Sequence, residues 1–135
     1  MNNATVLDKM ITIYKPNGVD WMGYRLTKGN PYTYHHIKEK RNGGKVTLSN
    51  GAILTKEAHN ELNMLDRFCP EAYEEYQAIF RYINSFNGPI PEDKYDLLMQ
   101  EIAELALDIH ERNGFTFSKK PVPFRRKREK KTFTL

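Results

Sequence analysis

Cysteine is nearly missing from this chain: Cys69 is the only one among 135 residues. A lone thiol excludes an intramolecular disulfide and a cysteine-built zinc site. Placed just ahead of Pro70, it reads as a small core or surface residue before a helix. Long apolar runs are missing too. No stretch approaches the roughly 18 apolar residues of a membrane span, and residues 1–15 hold no apolar core of secretory-signal length. The expectation is a cytoplasmic protein with no membrane partner. Internal repeats are also lacking. Hydrophobic residues make up 39% and aromatics 12%, which argues against global disorder. The length fits one domain with a modest core.

The net charge of +4 hides three unlike segments. Residues 1–56 carry nine Lys/Arg against three Asp/Glu. Residues 57–118 carry four against thirteen, and residues 119–135 eight against one. We read 1–118 as one domain and 119–135 as a flexible basic tail. Basic ends around an acidic middle fit a polyanion met at the ends. They leave the acidic helices open to a protein partner.

Residues 10–14 (MITIY) are β-rich and predict a short strand. Lys15-Pro16-Asn17-Gly18 and Gly29-Asn30-Pro31 mark turns. Trp21, Met22 and Tyr24 are expected in the core. Residues 32–37 (YTYHHI) predict a strand, Asn42-Gly43-Gly44 a loop, and residues 52–54 a returning strand. Thr55 is placed to cap a helix whose buried face holds Ala58, Leu62 and Leu65. Pro70 opens a second helix with Tyr73, Tyr76, Phe80 and Ile83 on its apolar face, ended by Asn87-Gly88-Pro89. A third runs from near Pro91 to Asn113-Gly114, with Tyr95, Leu98, Ile102, Leu105 and Ile109 inward. His110, beside that face, reads as structural.

Three of the four histidines fall in one short stretch. His35 and His36 are adjacent near the end of a predicted strand, so they point to opposite faces unless the strand ends there. One can face a helix while the other faces solvent and substrate. His59 and Asn63, four apart, share one helix face. Either alone is an ordinary solvated helix residue. Together they can hold one ion, with His35 as a third ligand from the strand, because imidazole nitrogen and amide oxygen suit a borderline divalent metal. Three protein ligands leave positions for water and phosphate.

The segment HHIKEKRNGGKVTLSNGAILTKEAHNELN resembles the HNH endonuclease signature: a His pair closing one strand, a Gly-Gly loop, an Asn before the returning strand and a His on the following helix. The three named positions match as His36, Asn50 and His59. The spacing is similar to that of colicin-type DNases, with Asn63 where those enzymes have a second helix His. The resemblance covers residues 32 to about 68, and the paired Cys-x-x-Cys sequences of many relatives are lacking. It implies an α+β fold: a ββα-metal hairpin-helix motif, then two further helices and the basic tail. It also implies hydrolysis of phosphodiester bonds in DNA, with RNA not excluded. His36 would be the general base, its ordinary pKa of about 6.5 being suited to neutral pH. One divalent ion (Mg²⁺, Mn²⁺, Ni²⁺ or Zn²⁺) would be held by His35, His59 and Asn63. Asn50 would fix the loop and through it His36. Ser49-Asn50-Gly51 is turn-like in its own right.

Lys38, Lys40, Arg41 and Lys45 lie between the His pair and Asn50, where they would face a phosphate backbone. The alternative for these four is solubility alone. In the tail, Arg125, Arg126, Lys127 and Arg128 give a charge density suited to phosphate neutralisation. The alternatives to a nuclease are a catalytically inactive nucleic-acid-binding ββα module and a partner-dependent accessory protein. A pure binding module needs no general base, which favours the enzyme.

Overall fold

The structure, a computed structural model, describes residues 2–118; the expectations at Arg125, Arg126, Lys127 and Arg128 lie outside the described residues. The chain opens with helix α1, Asn3–Tyr14. Asn2 caps it, its side chain accepting from the Thr5 amide at 2.9 Å, which satisfies one of the orphan donors of the first turn. Val6, Met10 and Tyr14, each four residues on from the last, form its buried stripe. The strand expected over residues 10–14 is therefore corrected to the end of a helix. The β-branched Ile11, Thr12 and Ile13 favour a strand locally. The four-residue spacing places the three large buried side chains on one helical face, and their burial decides the outcome.

Strands β1 (Tyr32–His36) and β2 (Gly51–Thr55) form an antiparallel hairpin, with Tyr34 opposite Ile53 and His36 opposite Gly51. Both lie within a residue or two of their expected positions. The hairpin is covered on two sides. Helix α1 packs on both strands, and so does α2 (Lys56–Phe68), while α3 (Pro70–Asn84) reaches β2. That is why all five residues of β2 are buried. Thr55 caps α2, its hydroxyl accepting from the Ala58 amide at 3.4 Å. Cys69 and Pro70 separate α2 from α3 as the sequence predicts. Helix α4, Glu92–Asn113, stops at Gly114, which takes the left-handed conformation at φ 72° that glycine adopts without strain. His110 makes a structural contact there, its Nδ1 lying 3.0 Å from the Phe115 carbonyl. The described residues thus form an α+β fold of four helices and a two-stranded sheet. No helix among them is long and apolar enough to cross a membrane.

Between the strands runs a loop built around the two glycines. Gly43 ends a single 3-10 turn, Lys40–Asn42, at φ 87°. Gly44 passes so close to the preceding strand end that a β-carbon on it would lie 1.7 Å from the Lys38 carbonyl oxygen. The nearest atoms are all backbone of Lys38 and Glu39, which offers no flexible side-chain end to move aside. Gly44→Ala is expected to lower stability by about 1–3 kcal/mol, as overpacking does. Gly43→Ala should cost about 1 kcal/mol, from left-handed strain alone. Urea denaturation of the two variants checks the order. A Gly44→Ala protein as stable as wild type would show that the loop opens freely.

Candidate metal and nuclease site

His35 and His59 meet across the hairpin–helix junction. His35 points from β1 into the layer of α2 and α3 and is only 4% exposed. Its ring packs edge-on against Phe80, 5.5 Å between centres, and against His59, 5.2 Å between centres with planes at 86°. Two imidazoles on one tetrahedral ion, with metal–nitrogen bonds of about 2.0–2.1 Å, have ring centres roughly 5 Å apart. The two rings are held from different elements, His35 from α3 and His59 from β1. His35 Nε2 lies 2.7 Å from Gln77 Oε1 on α3, and the Gln77 amide nitrogen donates to the Ile37 carbonyl. His59 Nδ1 lies 2.9 Å from the Thr33 hydroxyl, which itself donates to the Leu54 carbonyl at 2.8 Å.

His36 emerges on the other face of the strand, alongside Tyr34, with ring centres 5.0 Å apart. It is half-buried rather than open to solvent. Its Nε2 is the only buried side-chain nitrogen or oxygen among the described residues without a hydrogen-bond partner. Asn50 sits at the far end of the loop and ties it together. Its Oδ1 accepts from the Lys38 amide at 2.7 Å, while its Nδ2 donates to the carbonyls of Lys38 and Lys45, each at 3.0 Å. Tyr34 adds a second tie, its hydroxyl donating to the Thr47 carbonyl at 2.8 Å. The backbone that follows His36 is thereby held by Asn50, and the returning limb of the loop by Tyr34.

Asn63, one turn beyond His59, is exposed. Among the described residues no group of three or more His, Cys, Asp or Glu is placed to hold a metal ion. Of the three expected ligands, the structure brings His35 and His59 into ring contact. Lys38, Lys40 and Lys45 are exposed around the loop. Arg41 is differently placed: its guanidinium pairs with Glu39 and, at 3.6 Å, with Asp66. Glu39 also accepts from the Tyr73 hydroxyl at 3.1 Å.

All three histidines are held below the ordinary imidazole range, chiefly by burial. His35 falls furthest, to about 4. Lys40 adds to the effect at His36, and His36 to that at His59. Each ring is therefore neutral at neutral pH, the form that binds a metal or accepts a proton. For stability the sign follows directly. Unfolded His35 takes up its proton near pH 6.5 and the folded residue only near 4. Its contribution is complete above pH 6.5 and is lost as the pH falls through about 4. The interval is worth on the order of 3 kcal/mol. Urea denaturation from pH 7 to pH 4 should thus show a shallower loss of stability in His35→Leu than in wild type. Asp20, raised from 3.8 to about 6 mainly by burial, acts in the opposite direction, but it is present in both proteins and cancels. Parallel curves would mean that His35 is protonated as easily folded as unfolded.

Four polar residues that matter here were not singled out from the sequence: Gln77, Thr33, Glu61 and Asp20. Two of them left a signal. Gln77 interrupts the apolar series Tyr73, Tyr76, Phe80, and Glu61 the series Ala58, Leu62, Leu65. A polar residue at an inward helical position needs a buried partner. Glu61 has two: it accepts from the Tyr24 hydroxyl, and from the Ser118 amide at 3.1 and 3.2 Å. No protein-family model matches this chain, and neither a curated protein nor a solved structure does.

Proposed function

We propose that this protein is a metal-dependent endonuclease of the HNH type, hydrolysing phosphodiester bonds in DNA, with the hairpin and α2 acting as a ββα-metal motif. The observation that carries the reading is the pairing of neutral His35 and His59 at a separation suited to one shared ion. The donor set fits a borderline divalent cation: two imidazoles, with the Asn63 amide within one helical turn, leave room for water and phosphate. When bound, the ion supplies charge stabilisation at the scissile phosphate and the leaving 3′ oxygen. His36 takes the proton from the attacking water, and its depressed pKa keeps it in the accepting form. Asn50 holds the loop and so sets the backbone on which His36 stands. Lys38, Lys40 and Lys45 meet the phosphates on either side of the cut. Arg41 joins them by exchanging its carboxylate partners for phosphate.

A cleavage assay on supercoiled plasmid, with Mg²⁺, Mn²⁺, Ni²⁺ or Zn²⁺ and with a chelator, tests this. Conversion to nicked or linear DNA is expected with at least one ion and not with chelator. A parallel RNA substrate separates the two nucleic acids. No cleavage of either with any of the four ions would overturn the proposal, and equal cleavage in chelator would remove the metal.

A further inference from the structure

The hydrogen bonds around the two paired histidines decide which ring nitrogen carries the proton. A backbone carbonyl can only accept. The Ile37 carbonyl faces the Gln77 amide group, so that group must present its NH₂ there. The Gln77 oxygen is then the atom 2.7 Å from His35 Nε2, and the histidine must donate. His35 is therefore protonated on Nε2, and its lone pair is on Nδ1. The same rule applies at His59. The Thr33 hydroxyl spends its one hydrogen on the Leu54 carbonyl at 2.8 Å. Toward His59 it can only accept, so His59 Nδ1 carries the proton and the lone pair is on Nε2.

We infer that Gln77 and Thr33 are positioning residues that fix His35 as the Nε2–H tautomer and His59 as the Nδ1–H tautomer, leaving Nδ1 of the first and Nε2 of the second as the nitrogens that would hold a metal ion. The inference rests on the nuclease reading for the presence of the ion. The tautomers rest on the hydrogen bonds alone. Neither Gln77 nor Thr33 belongs to the sequence pattern that resembles the HNH signature. Gln77 comes from α3, 42 positions beyond His35, so the site draws on three elements: the hairpin, α2 and α3. Outer partners of this kind lock ring orientation and raise the basicity of the ligating nitrogen, and losing one typically costs about 10–100-fold in metal affinity. Gln77 serves two purposes at once, since its other end satisfies the carbonyl at the start of the loop that Asn50 closes.

Long-range ¹H–¹⁵N correlation spectra of the metal-free full-length protein read the tautomers directly. Wild type should show His35 protonated on Nε2 and His59 on Nδ1. Gln77→Met keeps the volume and removes the acceptor, so the His35 pattern should become a tautomer mixture while that of His59 stays. Thr33→Val should do the reverse, and Thr33→Ser should restore the wild-type pattern. Calorimetric titration with Ni²⁺ should show affinity about 10–100-fold lower in Gln77→Met and Thr33→Val, and near wild type in Thr33→Ser. Opposite tautomers in wild type would overturn the inference without any variant having to fold. Correct tautomers with undiminished Ni²⁺ affinity in both variants would overturn the positioning role alone. Wild-type protein that binds none of Mg²⁺, Mn²⁺, Ni²⁺ and Zn²⁺ would overturn the metal centre itself, and the role in positioning with it, whatever the spectra show.

Discussion

His36→Ala is expected to slow single-turnover DNA cleavage by about 10²–10⁴-fold, the usual cost of losing a general base, while metal binding and folding change little. The expectation follows from where His36 stands. It leaves the strand on the face opposite His35, next to Tyr34, and does not share the ring contact that joins His35 to His59. Its Nε2 hydrogen-bonds to no described residue, so truncating the ring breaks no protein hydrogen bond there. The loop that follows is pinned independently by Asn50 and Tyr34 and should survive the change. In free-energy terms the loss is about 3–5 kcal/mol of transition-state stabilisation. Three measurements separate the outcomes: cleavage rate at saturating metal, Ni²⁺ affinity and urea stability. A wild-type rate would remove His36 as the base. A joint loss of rate and affinity would make it a ligand instead. The acid-side fall in the wild-type rate should have its midpoint below the ordinary imidazole value, because burial and Lys40 both favour the neutral ring.

Asp20→Ala is expected to leave the protein largely unfolded at room temperature. Asp20 is 1% exposed and collects four donors. One carboxylate oxygen accepts from the amides of Met22 and Tyr24, at 2.8 and 2.9 Å. The other accepts from the amide and the hydroxyl of Thr55, both at 2.7 Å. It thus ties the loop after α1 to the point where β2 becomes α2, and Thr55 is also the cap of α2. Removing the carboxylate strands all four donors, three of them backbone amides that cannot turn away. Each unsatisfied buried donor costs about 1–3 kcal/mol, against a total stability of about 5–15 kcal/mol for a small domain. Asp20→Asn should be milder. Its amide oxygen can still accept from Met22 and Tyr24, and its NH₂ can donate to the Thr55 hydroxyl. The Thr55 amide is then left facing a donor, and the Thr55 hydroxyl hydrogen loses its acceptor. Circular dichroism and urea titration should therefore rank wild type above Asn and Asn above Ala. An Ala variant within about 1 kcal/mol of wild type would mean that water replaces the carboxylate.

Much of the frame was legible from residues close together in the chain. The aromatic and β-branched run at residues 32–37, the Gly-Gly loop and the apolar return placed the hairpin. Thr55, Pro70 and Gly114 marked helix ends because capping, a fixed φ and left-handed backbone are decided within one turn. The spacing of Tyr73, Tyr76, Phe80 and Ile83 placed the buried face of α3. At residues 10–14 local β propensity and helical periodicity disagree, and burial of Met10 and Tyr14 decides for the helix.

The sequence by itself brought His35, His36, Asn50 and His59 into one pattern, since their order and spacing are properties of the chain. Only the tertiary structure decided how they are used. It sent His35 inward and His36 to the other face, tied Asn50 across the loop and committed Arg41 to Glu39 and Asp66. The partners that fix the chemistry lie far along the chain: Gln77 is 42 positions from His35, Thr55 35 from Asp20, and Thr33 26 from His59. Local propensity acts over one helical turn or one strand pair. The hydrogen bonds of a buried polar group depend on which distant segment the packed core sets beside it, and for that the whole chain has to fold.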